Sequence, residues 1–375
     1  MINPTSASAA ILVLNAGSSS LKAKLLCQRE HSNELTVLWQ GQRTWRLEQP
    51  DAATALLEDW LAAELNPWRS AIALVGHRVV HGGERFTAAT RLDDTVLAAI
   101  AALTPLAPLH NAPSLQVMRW SLSWLPQAQQ WACFDTAFHA TLPPAQHTYA
   151  IPANWRARGL RRFGFHGLNH QHIAETIAAI RHEEGCSEAE LRELRLISCH
   201  LGAGCSLCAI RGGRSVATTM GMTPMEGLVM ATRSGSVDPG LLLHLLRHEG
   251  LDAEALDEAL NHHSGLLGLS GLSGDMRELR QAAAAGHANA QLAIDVFTAR
   301  LLESIGAMAA ALGGVDVIAL SGGIGQNDEV LAHALHQKLQ WLGPFRLLQI
   351  PADEEAQIAL QCLKAAGQLQ IMGNS

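Results

Sequence analysis

Four glycine-bearing turns are the first candidates for chemistry in this chain. Each follows an apolar segment, and they span Asn15–Ser20, His200–Gly204, Leu272–Asp275 and Ser321–Asn327. Glycine lets a backbone approach a ligand closely and turn its N–H groups toward phosphate oxygens. One such turn is ordinarily only a turn, but four of them together predict a phosphate-binding protein.

The motifs of the common phosphate-binding folds are missing from the sequence. It has no G-x-x-x-x-G-K-[ST] motif, no G-x-G-x-x-G that opens a helix after a strand, and no protein-kinase catalytic loop. The folds that remain hold phosphates with β-hairpin turns. The first turn fits, because Ser18, Ser20 and Lys22 alternate and would share one face of a strand. An ordinary Ser-rich turn with a surface lysine fits this spacing equally well.

Two arginines lie where a cation needs an anionic partner. Arg78 is inside an apolar segment, and Arg233 precedes a helix that we expect to start at Pro239. A buried guanidinium has to be paired with an anion. Asp135, at the end of an apolar strand, is one candidate partner, and a carboxylate or phosphate ligand is the other. The spacing therefore allows either a structural Arg–Asp pair or an anion site.

Histidine and cysteine spacing gives one candidate site and no metal centre. His166 lies among aromatic residues and glycines, which favours a functional position. His77 and His81 have HxxxH spacing, but their segment has strand patterning, so a zinc helix is not expected. The Cys205–Cys208 pair has no second pair at zinc spacing and should pack in the core. Seven cysteines in all predict reduced thiols and a cytoplasmic protein.

Composition limits the class of protein. The chain has 375 residues, which at about 100–200 residues per domain predicts two domains, or three at most. Hydrophobic residues make up 48%, so a core is available and intrinsic disorder is not expected. A net charge of −7 is atypical of a nucleic-acid binder or a polybasic membrane binder. No secretory signal is expected, and no apolar run approaches the ~18–20 residues of a membrane helix.

Short apolar strands alternate with helical segments, which predicts an α/β protein. The expected strands are Ile11–Asn15, Leu21–Cys27, Thr36–Gln42, Ala73–Val80, Trp131–Asp135, Leu196–Leu201, Ser206–Ile210 and Val315–Ser321. The expected helices are Asp93–Leu103, Ala282–Leu312 with breaks at Gly286 and Gly306, and two that open at Asn327 or Asp328 and at Asp353. A strand–turn–strand unit begins each half, so we expect two related domains around a cleft.

The sequence resembles the acetate kinases over nearly its whole length. Val13–Lys22 and Met220–Gly227 are similar to the two signatures of that family. GHRVVHGGE, PLAPLHN, FDTAFH, FGFHG, TRSGSVDP and SGGIGQN follow in the family's order. The resemblance implies an α/β fold of two ribonuclease H-like, actin-like ATPase domains that flank a central cleft. Their expected limits are residues 1–139, completed by a C-terminal helix over 353–375, and residues 140–352.

The resemblance also implies an activity. It is the reversible in-line transfer of the γ-phosphoryl group of ATP to acetate or another short-chain carboxylate, which gives acetyl phosphate and ADP with Mg²⁺ or Mn²⁺. It implies a cytoplasmic homodimer with no nucleic acid or membrane as partner. Three alternatives remain: a propionate or butyrate kinase, an acetate kinase that uses pyrophosphate, and a non-catalytic nucleotide-gated member of the fold.

Roles follow from the same resemblance, residue by residue. It implies that Asn15 and Glu354 place the metal and that Arg78 binds the substrate carboxylate. Asp135, His166 and Arg233 are the implied catalytic residues, the last two as stabilisers of the transition state. The implied pocket for the methyl group is Val80, Leu109, Phe165 and Pro224. The implied nucleotide-binding residues are Ser18, Ser20, Lys22, His200, Leu201, Gly202, Ala203, Gly204, Asp275, Met276, Arg277, Gly323, Ile324, Gly325, Gln326 and Asn327.

Two departures from the family pattern and one chemical argument qualify these roles. Ala203 stands where the family usually has Asn, and Gln326 stands where it usually has Glu. The largest effect that we expect from these departures is a lower affinity for the nucleotide. A carboxylic acid substrate has a pKa of about 4–5 and is already ionised at pH 7. We therefore expect Asp135 to orient Arg78 or a metal-bound water, and not to remove a proton.

Overall fold

A computed structural model describes residues 10–17, 20–29, 34–44 and 55–367, without the side chains of residues 105 and 108–110. Its strands are β1 (Ala10–Ala16), β2 (Ser20–Gln28), β3 (Leu35–Thr44), β4 (Ile72–Val79), β5 (Thr90–Arg91), β6 (Gln129–Phe134), β7 (Arg195–Leu201), β8 (Cys205–Arg211), β9 (Arg214–Thr218), β10 (Val317–Ser321) and β11 (Arg346–Gln349).

Its α-helices are α1 (Ala63–Leu65), α2 (Asp94–Ala102), α3 (Pro108–Trp124), α4 (Pro144–His147), α5 (Ala153–Arg156), α6 (Gly167–Glu183), α7 (Glu188–Glu193), α8 (Pro239–His248), α9 (Ala253–His262), α10 (Gly265–Ser270), α11 (Met276–Ala284), α12 (Ala288–Leu312), α13 (Gly322–Asn327), α14 (Glu329–Lys338) and α15 (Glu354–Ala365). A π-helical segment, Leu57–Ala62, precedes α1. Short 3₁₀ turns cover Asn66–Trp68, Thr104–Leu106, Ala137–Thr141 and Gln340–Leu342.

The chain packs into two compact units. Unit 1 is Met1–Phe138 with Asp353–Ser375, and unit 2 is His139–Ala352. Unit 1 has a sheet of order β3-β2-β1-β4-β6-β5, and unit 2 has a sheet of order β11-β10-β7-β8-β9.

The two sheets share one topology. In each, three strands form an antiparallel meander, β1-β2-β3 in unit 1 and β7-β8-β9 in unit 2. The first strand of each meander then pairs in parallel with a later strand, which pairs in parallel with another. The edge strand β5 is an addition to the first sheet. The repeated strand–turn–strand unit predicted from the sequence is confirmed.

Burial along the strands follows their place in each sheet. β1 and β10 are buried throughout, as expected for strands with parallel neighbours that are covered on both faces. Along β2, Leu21 and Ala23 are buried while Lys22 is exposed. Ser20 and Lys22 therefore share a face of the strand as predicted, while Ser18 lies outside the described residues.

Helix starts agree with the sequence, but two glycine predictions were wrong. Asp93, Asp328 and Asp353 cap their helices by accepting the N–H groups of Val96, Leu331 and Ala356. Gly286, at a φ of 89°, separates α11 from α12, but Gly306 lies inside the continuous α12. Ser321–Asn327, expected as a turn, contains the short helix α13. Here Gly322 is required because a Cβ would lie 2.6 Å from the carbonyl oxygen of Leu201.

Two observations concern the thiols and membrane spans. All seven cysteines are free thiols, and Cys205 and Cys208 are buried in the core as expected. Within the described ranges, no helix combines the length and apolar character that crossing a membrane requires.

Candidate functional site

In unit 1, Arg78 and Asp135 meet at the carboxyl ends of neighbouring parallel strands. Arg78 is the penultimate residue of β4, and Asp135 directly follows β6. The Arg78 guanidinium donates two hydrogen bonds to the Asp135 carboxylate, from Nε to Oδ1 at 3.2 Å and from Nη2 to Oδ2 at 2.7 Å. Asp135 is only 1% exposed, so the pair lies largely out of water. Of the two partners that the sequence allowed for Arg78, the structure places Asp135 there.

The start of α15 adds two more carboxylates to this pair. Arg78 Nη1 lies 2.9 Å from Glu354 Oε2 and donates to Asn15 Oδ1 at 3.2 Å. Asn15 Nδ2 in turn donates to Glu355 Oε1 at 2.8 Å and to Glu354 Oε2 at 3.4 Å. We call these five residues, Asn15, Arg78, Asp135, Glu354 and Glu355, the Arg78 cluster.

Charge in the Arg78 cluster is unbalanced. Burial opposes the charge of Arg78, but Asp135 and Glu354 outweigh it and raise the pKa of the guanidinium above its ordinary value. One guanidinium faces three carboxylates, so the cluster has an excess of negative charge. A further cation would therefore be favourable there.

The oxygen atoms of this cluster suit a hard divalent cation. Mg²⁺ prefers oxygen ligands and is commonly held by one or two carboxylates, with water and substrate phosphates completing its shell. Glu354 and Glu355 supply the carboxylates, and Asn15 supplies an amide oxygen, which accepts from Arg78 Nη1. Among the residues that the structure describes, no group of three or more His, Cys, Asp or Glu forms a metal site by itself. The two predicted residues, Asn15 and Glu354, thus lie together. Glu355 joins them and was not predicted, although its position next to Glu354 in the sequence was a signal for it.

The other predicted residues of unit 1 lie around this cluster or outside the description. Lys22 is directly opposite Asn15 in the β1–β2 ladder and is exposed, while Ser20 is half-buried. Val80 follows β4 and is buried. Leu109 belongs to α3, and its side chain, like Ser18, is outside the described set.

In unit 2, His166, Arg233 and Gly204 converge on one point. His166 has a φ of 55° and is the one non-glycine residue of the described ranges with a positive φ. A Cβ on Gly204 would lie 3.3 Å from His166 Nε2 and 3.6 Å from Arg233 Nη2. The ring of His200 lies 4.4 Å from that of His166. Strained conformations of this kind concentrate at functional sites, and any side chain at position 204 would occupy the space.

Arg233 differs from Arg78 in having no carboxylate partner within the described part of the chain. Its Nη1 donates to the carbonyl oxygen of Pro224 at 2.7 Å, and no ion pair joins it to a described acidic residue. Burial lowers the pKa of this guanidinium below its ordinary value. An anion bound at Gly204 would stabilise the positive charge of Arg233 and so offset the cost of its burial.

Three residues that the sequence analysis missed hold the loop that carries Pro224. Tyr149 Oη donates to Glu226 Oε2 at 2.5 Å and accepts the N–H of Met222 at 2.9 Å. Arg162 Nη2 donates to Glu226 Oε1 at 2.5 Å. Glu226 is 77 residues from Tyr149 and 64 from Arg162, so no local spacing reveals these contacts.

A second arginine contact ties the same loop to the segment before His166. Arg162 Nη1 donates to the carbonyl oxygens of Thr219 and Met220 at 2.9 and 2.7 Å. The N–H groups of Phe163 and Gly164 both donate to Gly221 O, at 3.0 and 3.1 Å. Phe165, a predicted pocket residue, is buried next to this contact.

The predicted nucleotide loops line one cavity of unit 2. Two of these loops lie at the carboxyl ends of the parallel strands β7 and β10, where His200 pairs with Ser321, and the third is at the start of α11. The cavity has a volume of about 920 Å³. Its lining residues are Gly202, Ala203, Ala231, Gly274, Asp275, Met276, Arg277, Arg280, Gly323, Ile324, Asn327, Asp328, Glu329 and Val330. Eight of the predicted nucleotide residues are in this set, and Gly274 belongs to the predicted phosphate-binding turn Leu272–Asp275. The remaining lining residues were not predicted.

Four predicted nucleotide residues of the same unit lie outside that lining. They are His200, Leu201, Gly204 and Gly325, and a fifth, Gln326, is also absent from the lining. When its amide is oriented to match the surrounding donors, the side-chain oxygen of Gln326 accepts the N–H groups of Ala352 at 2.8 Å and Gly322 at 3.2 Å. In this orientation Gln326 stabilises the backbone around α13, and its role toward a nucleotide stays a prediction.

Comparison with known proteins adds the family. The model of the acetokinase family matches residues 10–359. An acetate kinase of Synechococcus sp. (strain JA-2-3B'a(2-13)) is 42% identical over 94% of this chain and 98% of its own length. The crystal structure of Porphyromonas gingivalis acetate kinase superposes with a TM-score of 0.83 at 32% identity, over 96% of this chain and 100% of that one.

A propionate kinase is structurally as similar as that acetate kinase. The structure from Francisella tularensis subsp. tularensis SCHU S4 has a TM-score of 0.83 at 31% identity, over 95% of this chain and 100% of that one. The mixed α/β fold with two sheets is thus that of the acetate kinases. Matched over nearly all its length in sequence and in fold, the chain belongs to the acetokinase family and is a kinase that acts on a carboxylate.

Proposed function

We propose that the protein is an acetate kinase that transfers the γ-phosphoryl group of ATP to acetate, reversibly giving acetyl phosphate and ADP. The observation that carries the proposal is the half-buried Arg233, which has no described carboxylate partner and faces the same point as His166. That point is at Gly204, and the next residue back, Ala203, lines the cavity. A nucleotide in the cavity would therefore direct its terminal phosphate toward two hydrogen-bond donors.

The chemistry of phosphoryl transfer fits these donors. Charge spreads over three equatorial oxygens, so catalysis depends on positioning and on electrostatic stabilisation. Arg233 and His166 are held before any ligand arrives, Arg233 by the carbonyl oxygen of Pro224 and the His166 ring by Ser206 Oγ. Removal of one well-placed donor of this kind costs about 10²–10³ in turnover.

We assign the carboxylate of the acid to Arg78. Its Nε and Nη2 atoms donate to Asp135, which fixes the plane of the guanidinium. Because acetate is already ionised at neutral pH, Asp135 has no substrate proton to remove. Its role in the proposal is to orient Arg78, and Val80, Leu109, Phe165 and Pro224 are the proposed contacts of the methyl group.

We assign Mg²⁺ to Asn15 and Glu354, with Glu355 beside them. The metal, when bound, supplies positive charge that offsets the charge of the phosphate oxygens. The residues themselves already provide what the ion needs, which is an excess of carboxylate over guanidinium charge. Lys22, opposite Asn15 and exposed, is the proposed contact for a nucleotide phosphate.

The size of the cavity favours a nucleotide as the donor. A volume of about 920 Å³ is near the upper end of small-molecule sites, which span about 300–1,000 Å³. Pyrophosphate would leave most of that space unused. ATP is therefore the proposed donor, and pyrophosphate is the alternative that the test below measures.

We further propose a homodimer and a cytoplasmic location. Helix α8 has no buried residue, and it exposes Leu241, Leu243 and Leu246, which a second copy of the chain would cover. Sedimentation should give twice the chain mass of 40.2 kDa, and a value near 40.2 kDa would contradict the dimer. The free thiols support a reducing compartment.

Trapping of the acyl phosphate with hydroxylamine tests the proposal. Acetate, propionate and butyrate are each assayed with ATP and with pyrophosphate. We expect the highest kcat/KM with acetate and ATP. The kcat/KM for propionate should be lower by about 10–200-fold, which is the usual discrimination that one methylene group gives. Propionate is the second candidate because of the Francisella propionate kinase. A higher kcat/KM with propionate than with acetate overturns the proposed acid substrate, and a higher value with pyrophosphate than with ATP overturns the proposed donor. If no acyl phosphate forms under any condition, the proposed activity is wrong.

A further inference from the structure

A buried chain of histidines and serines leads from His166 into unit 2. His166 Nδ1 lies 2.9 Å from Ser206 Oγ, and the same hydroxyl lies 2.8 Å from His170 Nε2. His170 Nδ1 lies 2.9 Å from Ser198 Oγ. His170, Ser198 and Ser206 are all fully buried, so water does not satisfy these groups. We call Ser198, His170 and Ser206 the relay.

Two elements hold the relay in place. His166 is the N-cap of α6 and His170 is four residues on, so one helix face carries both rings. Ser198 is on β7, and Ser206 on β8 is opposite His200 in the antiparallel ladder. The hydroxyls therefore come from the sheet and the imidazoles from the helix that packs on it.

If the hydrogen of Ser206 is donated within this chain, the donor and acceptor count leaves two directions for the hydrogen bonds. A hydroxyl has one hydrogen, and a neutral imidazole has one N–H and one acceptor nitrogen. Burial, with His139 and His200 nearby, holds the pKa of His170 well below its ordinary value, so this ring stays neutral. If Ser198 donates to His170 Nδ1, then His170 Nε2 donates to Ser206, and Ser206 donates to His166 Nδ1.

The direction decides what His166 presents at Gly204. In the direction just given, a neutral His166 carries its hydrogen on Nε2, the atom that lies 3.3 Å from the Cβ position of Gly204. In the reverse direction the hydrogen is on Nδ1, and Nε2 presents a lone pair to the same point. Phosphate oxygens are acceptors, so they favour the first direction.

We propose that Ser198, His170 and Ser206 are positioning residues that fix the ring orientation and the tautomer of His166, so that Nε2–H points to the phosphoryl group. This inference rests on the proposed function for the identity of the ligand at Gly204. None of the three residues touches that ligand, and each acts through His166. The role resembles that of the groups that orient catalytic and metal-binding histidines in other sites.

Ser206→Ala tests the relay in steady-state kinetics. We expect kcat to fall about 10–100-fold, less than for the loss of His166 itself, with the KM values for acetate and ATP changed less than about twofold. Ser206→Thr keeps the hydroxyl and should recover most of kcat. The matched control is Ser215→Ala, since Ser215 is equally buried and bonds His139 Nδ1 at 2.9 Å outside the relay. The control should lose similar stability but keep kcat within about threefold.

Ring-¹⁵N-histidine NMR gives a readout that does not depend on turnover. The signal of His166 is assigned by its loss in His166→Gln, and spectra are recorded with inorganic phosphate as the anion. We expect the Nε2–H tautomer in the wild-type protein and a mixture of tautomers in Ser206→Ala. An Nδ1–H tautomer in the wild-type protein, an unchanged kcat in Ser206→Ala, or an equal fall of kcat in Ser215→Ala overturns the inference. A wild-type protein that makes no acyl phosphate overturns the proposed function instead, while the tautomer measurement still decides the relay.

Discussion

Arg78 binds Asp135 through two parallel hydrogen bonds, Nε to Oδ1 at 3.2 Å and Nη2 to Oδ2 at 2.7 Å. Such a fork fixes the plane of the guanidinium, and its third nitrogen is directed to Glu354 and Asn15. Both carboxylate oxygens of Asp135 thus accept hydrogen bonds from Arg78, as expected of a residue that orients this arginine.

Asp135→Asn should impair both the fold and the binding of the acid. It leaves Arg78 in the protein interior without its main counter-charge, which costs about 3–5 kcal/mol in unfolding free energy. We expect kcat/KM for acetate to fall about 100-fold, while the acidic limb of the rate–pH profile stays where it is. Urea unfolding and a rate–pH profile measure the two effects.

The matched control for that variant is Asp316→Asn. Asp316 forms a similar fork with Arg195, but both side chains are more than a third exposed. Its loss should cost about 1 kcal/mol or less and leave kinetics unchanged. An acidic limb that moves in Asp135→Asn would show that Asp135 exchanges a proton during turnover, contrary to the orienting role.

Glu354→Gln should raise the Mg²⁺ concentration needed for half-maximal activity by about tenfold or more, since one of the few carboxylates available to the ion becomes neutral. The control is Asp353→Asn, which keeps the cap of α15 because Asn caps helices as well as Asp does. It gives up only the partly exposed ion pair with Lys24. Equal shifts in the two Mg²⁺ titrations would argue against a specific role for Glu354.

Ala203→Asn should lower the KM for ATP by a few-fold, because position 203 lines the cavity and the new amide adds a donor and an acceptor there. Gln326→Glu should leave that KM unchanged within about twofold, since the side chain at 326 faces the N–H groups of Ala352 and Gly322. Isothermal titration with ADP and steady-state kinetics measure both. A larger effect at position 326 than at 203 would show that the α13 segment moves on binding.

The pKa of Tyr149 is raised from 10.0 to about 12, first by burial and then by its hydrogen bond to Glu226 and the charge of that residue. A raised pKa means that the stability contributed by the neutral phenol is fully present below pH 10 and is lost as the pH rises from 10 to about 12. Tyr149 is the single tyrosine of the chain, so tyrosinate absorbance reports it alone. The native protein should titrate near pH 12 and the unfolded protein near 10.

Tyr149→Phe provides the control and a functional readout. It removes the phenolate signal and the bond to Glu226, so the loop that places Pro224 against Arg233 loses one support. We expect kcat to fall about tenfold or less, because the remaining bonds from Arg162 still hold the loop. A native titration near pH 10 would show that the phenol is exposed and that this loop is held by other contacts.

The sequence alone determined the class, the family and most of the elements. Period-2 burial placed Lys22 on the exposed face of β2, and the acidic caps at Asp93, Asp328 and Asp353 marked true helix starts. These features depend on neighbours within a few residues, where spacing and propensity act directly. The break expected at Gly306 failed because the packing of a long helix outweighs the cost of one glycine in it.

Only the tertiary structure decided which partners the functional residues have. It gave Arg78 the carboxylate of Asp135 and left Arg233 with a carbonyl oxygen, although both arginines looked alike in sequence. It also joined His166 to Ser206, 40 residues away, and Tyr149 to Glu226, 77 residues away. Such contacts depend on which strand ends and helix starts the fold brings together, and no local spacing encodes that choice.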